Sequence, residues 1–110
     1  MAKPWKADVP PQLARFATPE VTGRIVAYRS GKITLGQLAS EFAARTFVTP
    51  ARLANKRAGE STREMYARVE DATYDTPGSW DEVDEARSTG LLSHDDYLAL
   101  TRAVHAGHAR

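Results

Sequence analysis

Six helix-start signals are spaced along 110 residues, and they leave little room for any other secondary structure. Thr18-Pro19-Glu20 places an N-cap threonine, a proline at the first helical position and an acid in the first turn. Thr49-Pro50 repeats the cap-plus-proline device. Thr34 with Gln37, Ser61 with Glu64 and Ser79 with Glu82 read as capping boxes, and Ser93 with Asp96 is a weaker version. Stop signals agree, with Gly31, Gly59 and Gly90 each following a helical stretch. Apolar residues recur at helical spacing: Val21, Ile25 and Tyr28; Leu35, Leu38, Ala39, Phe42 and Ala43; Met65, Val69 and Ala72; Tyr97, Leu100 and Val104. No stretch alternates as a half-buried strand would, and Phe47-Val48 is the one short extended candidate.

Two of these starts belong to a repeat. Gly31-Lys32-Ile33-Thr34-Leu35-Gly36-Gln37-Leu38 aligns with Gly90-Leu91-Leu92-Ser93-His94-Asp95-Asp96-Tyr97. Each shared position has a mechanical reason. The glycine takes the left-handed conformation that ends one helix. Ile33 or Leu92 precedes the next N-cap, where it staples against Leu38 or Tyr97. Thr34 or Ser93 accepts from free backbone amides, and Gln37 or Asp96 completes the cap. The repeat therefore encodes a helix–turn–helix hairpin, twice.

The expected architecture is all-α: an N-terminal arm over residues 1–17, then one small helical domain over 18–110. That domain holds a capped hairpin at about 19–45, a middle at 46–79 that is irregular or partly helical, and a second hairpin at about 80–106. The arm is read from Pro4, Pro10 and Pro11. A short helix over 50–58 is the weakest element of the middle.

The C-terminal copy, WDEVDEARSTGLLSHDDYLALTRAV, resembles the short C-terminal helical hairpin domain often called SHOCT. The resemblance is carried by Gly90, Leu92, Ser93, Asp95, Asp96 and Tyr97. The whole chain, with the same punctuation in both hairpins, is also similar to small proteins from structural-gene regions of actinobacteriophages. Eleven arginines against four lysines fit the GC-rich genomes of such phages and their hosts. Neither resemblance brings catalytic residues with it.

Composition narrows the chemistry. There is no cysteine, so disulfides and thiolate metal sites are excluded. No apolar run has the length of a membrane span, and MAKPWKADVPPQ lacks the apolar core of a secretory signal. The expectation is synthesis in a host cytoplasm, then residence in a virion, without secretion. The net charge of +1 conceals a split: residues 1–60 carry +6 and residues 61–110 carry −5. Such halves attract within one chain or head to tail between chains.

Candidate sites are few. His105 and His108 share a helical spacing, but Gly107 lies between them and no acid is near, so they read as a solvated tail. Asp71 to Glu82 has acids where a calcium loop has them at its first, fifth and twelfth positions, yet Thr76 and Pro77 occupy the sharp turn that needs glycine. Asp81, Glu82, Asp84 and Glu85 form an acid cluster, read as favourable charge at a helix start rather than as paired catalytic carboxylates. No phosphate loop, nucleophile elbow or triad is present, and neither metal nor cofactor is expected.

The preferred expectation is a non-enzymatic structural or interaction protein, a small phage virion subunit binding a major structural protein or itself. Pro4 and Trp5 in the arm, and Phe47 and Val48 in the middle, are its candidate anchors. Trp5 either docks on its own domain or inserts into the partner. The alternative is a helix-turn-helix-like DNA-binding regulator using residues 34–58, with Arg52, Asn55, Lys56 and Arg57 facing the groove. A third reading, a phage-encoded inhibitor of a host enzyme, shares the partner-binding chemistry of the first.

Overall fold

A computed structural model describes residues 5–50, 59–71 and 76–108, and the side chains of residues 68–71 and 108 are left aside. The fold is all-α. Among the described residues, six α-helices follow one 3-10 turn at Trp5–Asp8: α1 (Pro11–Ala14), α2 (Thr22–Arg29), α3 (Leu35–Ala44), α4 (Thr62–Asp71), α5 (Asp81–Ser88) and α6 (His94–His108). No strand occurs among the described residues. None of the described helices is long and apolar enough to cross a membrane.

Both expected hairpins form, and the repeated glycines and N-cap hydroxyls do what their chemistry predicts, while the Asp96 carboxylate accepts from Tyr28 rather than completing its cap. Gly31 and Gly90 take φ of 80° and 85°, the left-handed region that a side chain resists. Behind them, the Lys32 amide reaches back to the Ala27 carbonyl and the Leu92 amide to Ala86, closing the ends of α2 and α5. Thr34 Oγ1 accepts from the Gln37 amide at 3.0 Å, and Ser93 Oγ from the Asp96 amide at 3.1 Å. Ser61 caps α4 in the same way, accepting from the Glu64 amide.

The hairpins then pack on each other. The most extensive helix contact is between α3 and α6, through Leu38 and Phe42 on one side and Leu100 and Val104 on the other. Helix α2 meets α5, so first helix faces first helix and second faces second. Ile25, Val21, Val83, Ala86 and Leu92 complete a single core shared by both hairpins. Neither hairpin covers its apolar face alone.

Three sequence expectations change. Residues 9–17, assigned to the arm, belong to the core: Val9, Leu13, Phe16 and Ala17 are buried. Pro11 opens a helical turn, which places Leu13 and Phe16 on one face. Next, α2 begins at Thr22 rather than after Thr18, because Thr18 is engaged elsewhere. Finally, the Ser79–Glu82 box does not form. Ser79 Oγ accepts from the Asp81 amide and donates to the Thr76 carbonyl, and Glu82 turns away from its own helix start. The proposed helix over 50–58 falls almost wholly outside the described residues.

Candidate interaction surface

Three of the four acids at the start of α5, Asp81, Glu82 and Asp84, are engaged by the fold. Glu82 is fully buried and accepts five hydrogen bonds. Oε1 takes the Thr18 amide at 2.7 Å, the Thr22 hydroxyl at 2.7 Å and the Thr22 amide at 3.2 Å. Oε2 takes the Thr18 hydroxyl at 2.8 Å and the Gly78 amide at 2.6 Å. Helix α2 has no side-chain cap of its own, since Val21 precedes it. Glu82, 60 residues away from Thr22, supplies that cap and ties the hairpins together. A buried carboxylate surrounded by donors in this way is a satisfied structural anion.

Its neighbours follow the same rule. Asp84 accepts from the Tyr97 hydroxyl at 2.6 Å, and Asp81, also buried, accepts from the Thr76 amide at 3.2 Å. Burial, reinforced by the bond to Asp84, pushes the Tyr97 hydroxyl above its ordinary range. Across the hairpins, Tyr28 donates to Asp96 at 2.7 Å, and that bond raises the Tyr28 hydroxyl as well. Within the first hairpin, Arg24 grips Glu41 with two bonds, of 2.7 and 2.9 Å. These bonds raise the guanidinium and hold the Glu41 carboxyl below the usual carboxylate range.

What remains available lies where α3, α5 and α6 meet. Phe42, Phe47, Trp80 and Tyr97 form a chain of edge-to-face and tilted rings, with centroids 5.1–6.3 Å apart. The Trp80 indole donates to the Tyr97 hydroxyl at 3.3 Å. On the outer side of these rings runs an open groove of about 280 Å³, lined by Phe47, Trp80, Thr101, Val104 and His105. The next residue, Val48, is 52 % exposed, and its amide donates to the Gly78 carbonyl at 2.9 Å. On α4, Tyr66 is 61 % exposed.

The candidate anchors therefore separate. Phe47 lines this groove, whereas the side chain of Val48, the next residue, lies exposed beside Gly78. Trp5 does not join them; it is half-buried against the core, its ring packed over Gly23. Pro4 lies outside the described residues. So do Arg52, Asn55, Lys56 and Arg57. Val104 reads in the sequence as part of an apolar helical stripe, and the ring chain that makes it and Trp80 groove walls has no local signature. The C-terminal tail is more structured than its composition suggests. Helix α6 continues to His108, and a Cβ on Gly107 would lie 2.9 Å from the Ala43 carbonyl oxygen. His105 is exposed at the groove rim, and no group of three potential metal-ligating side chains occurs among the described residues. The calcium-loop pattern loses its twelfth position, because Glu82 is already saturated by hydrogen-bond donors.

Compared with known proteins, the chain matches no family model, no curated protein and no solved structure.

Proposed function

We propose that the chain is a non-enzymatic interaction protein, a small subunit that binds a structural protein of a phage particle or a second copy of itself. The observation that carries the interaction reading is the open apolar groove of Phe47, Trp80 and Val104, with Val48 exposed beside it. Apolar, aromatic-walled concavities flanked by polar groups are where partner side chains anchor. Among the acids that would otherwise suggest catalysis, Glu82 is engaged in holding the hairpins together and Asp84 accepts from Tyr97 within the second one. The phage assignment rests on the sequence resemblance alone.

The test is titration against purified capsid, connector and tail proteins of the encoding phage, alongside light scattering behind size exclusion. The expected result is a complex, or self-association, that Val48→Glu abolishes while thermal unfolding is unchanged. A monomer indifferent to every virion protein would overturn the proposal. A salt-sensitive shift with DNA, lost in Arg52→Ala and Arg57→Ala, would transfer the function to the regulator reading.

A further inference from the structure

The groove between Phe47, Trp80 and Val104 has apolar walls and a charged rim. Phe47 and Trp80 meet edge to face, at 79° and 5.1 Å, and α6 supplies Val104. The volume of about 280 Å³ is room for one large apolar side chain. Arginines bracket the rings. The Arg45 guanidinium lies over Phe47 at 5.3 Å, and that of Arg87 over Tyr97 at 4.5 Å. Arg102, next to Thr101 in the groove wall, is exposed. Arg45 is held differently from Arg24 in the same hairpin. Arg24 spends its charge on two bonds to Glu41. Arg45 gives Nη1 to a neutral acceptor, the Glu20 carbonyl, at 3.3 Å, and its Nε is buried with no hydrogen-bond partner. A guanidinium with five donors keeps capacity there for a carboxylate. The carboxylates that follow Trp80 face inward: Asp81 and Glu82 are buried, and Asp84 accepts from Tyr97.

We infer that the groove takes an acidic polypeptide segment: one large apolar side chain enters between Phe47, Trp80 and Val104, and carboxylates on either side of it meet Arg45 and Arg102. This rests on the groove being the interaction surface proposed above, and adds the chemistry of the partner. The buried anchor supplies most of the affinity, and the complementary rim supplies orientation and on-rate. A single-stranded nucleic acid is also anionic, but its bases stack on open ring faces. Here one face of Phe47 and one of Tyr97 already carry a guanidinium, and Phe47 and Trp80 stand edge to face. The rings therefore offer a slot for one side chain rather than a row of stacking platforms.

The experiment titrates the isotope-labelled full chain with heptapeptides that share a central phenylalanine and differ in their flanks: all glutamate, all serine or all lysine. An oligothymidylate of similar length is the nucleic-acid arm. The NMR signals followed are the Trp80 indole N–H and the amides of Phe47, Val104 and His105. The glutamate-flanked peptide is expected to bind about tenfold more tightly than the serine-flanked one, with the lysine-flanked one weakest. That advantage should vanish in about 0.5 M salt, vanish in Arg45→Gln and shrink in Arg102→Gln. The serine-flanked peptide should bind both variants as it binds the unmodified chain. Arg102 is exposed, so its variant carries the test if Arg45→Gln does not fold. A glutamate-flanked peptide that binds no better than the serine-flanked one, or an advantage that survives both variants, would overturn the inference and leave the groove as an interaction surface. Tighter binding of the oligothymidylate than of any peptide would overturn it in favour of a nucleic-acid partner. Absence of any shift at the groove with every peptide would remove the proposed function and the inference together.

Discussion

The Glu82 carboxylate fills the place that a local N-cap would occupy on α2, and it does so from the opposite hairpin. Glu82→Gln keeps the shape but sets an NH2 group against neighbouring donors. Hydrogen bonds to a buried charge are worth about 1.5–3 kcal/mol each, so the loss is expected to reach about 3 kcal/mol or more, read from urea unfolding. Tyr97→Phe removes one donor to Asp84 and one acceptor for Trp80, and is expected to cost about 1–2 kcal/mol. The same residue sets a pH response. Its folded hydroxyl ionises above the ordinary range, as does that of Tyr28, so their contribution is full below about pH 10 and lost as pH rises through the folded values. Alkaline unfolding monitored by tyrosinate absorbance checks this, and Tyr28→Phe with Tyr97→Phe should flatten the profile.

Helices and turns divide into those governed by local rules and those governed by distant ones. Thr34→Ala and Ser93→Ala should each cost about 1 kcal/mol, the usual worth of an N-cap. Gly90→Ala should cost about 1–2 kcal/mol, because φ of 85° is unfavourable for a side chain. Within the first hairpin, Glu41 ionises below the normal carboxylate range. The stability it lends through Arg24 is present above that range and disappears as pH falls through the lowered folded value. Both side chains are about a third exposed, at 39 % and 34 %, so the contribution is about 0.5–1 kcal/mol, and Glu41→Gln should remove it along with the acid dependence. The caps at Thr34, Ser61 and Ser93 were legible in the sequence because every group involved lies within three residues. Thr18 and Ser79 carried the same signal and behave differently. In both cases Glu82 intervenes: it takes up Thr18 from 64 positions away, and it turns from Ser79 to the Gly78 amide. At Thr18 a local pattern cannot register a competitor that distant; at Ser79 the competitor is local, but the pull of Thr18 and Thr22 on it is not.

At the scale of the molecule, the hairpin count and the helical class were readable from capping and period, and the pairing of hairpins was not. Pairing depends on the tertiary fit of Leu38 and Phe42 against Leu100 and Val104, residues that look alike in any amphipathic helix. The N-terminal stretch was misread for a related reason. Its prolines signal irregularity, yet Pro11 serves as a helix opener and delivers Leu13 and Phe16 to the core. The candidate surface was half legible. Phe47 and Val48 were legible as a short extended apolar pair, whereas the groove that Phe47 lines exists only once α6 brings Val104 and His105 alongside Trp80. The bonds that cross the hairpins run from the neutral hydroxyls of Thr18, Thr22 and Tyr28 to the carboxylates of Glu82 and Asp96, so they do not use the charge split between the two halves. Glu82 thus acts as the joint between two hairpins. Amide hydrogen exchange tests that claim most directly. The amides of Thr18, Thr22 and Gly78, all bonded to Glu82, should exchange only through global unfolding, as slowly as the amides of α3 and α6, and should lose that protection in Glu82→Gln. Exchange at these three amides as fast as at unprotected amides of the same sequence, in the unmodified protein, would contradict it.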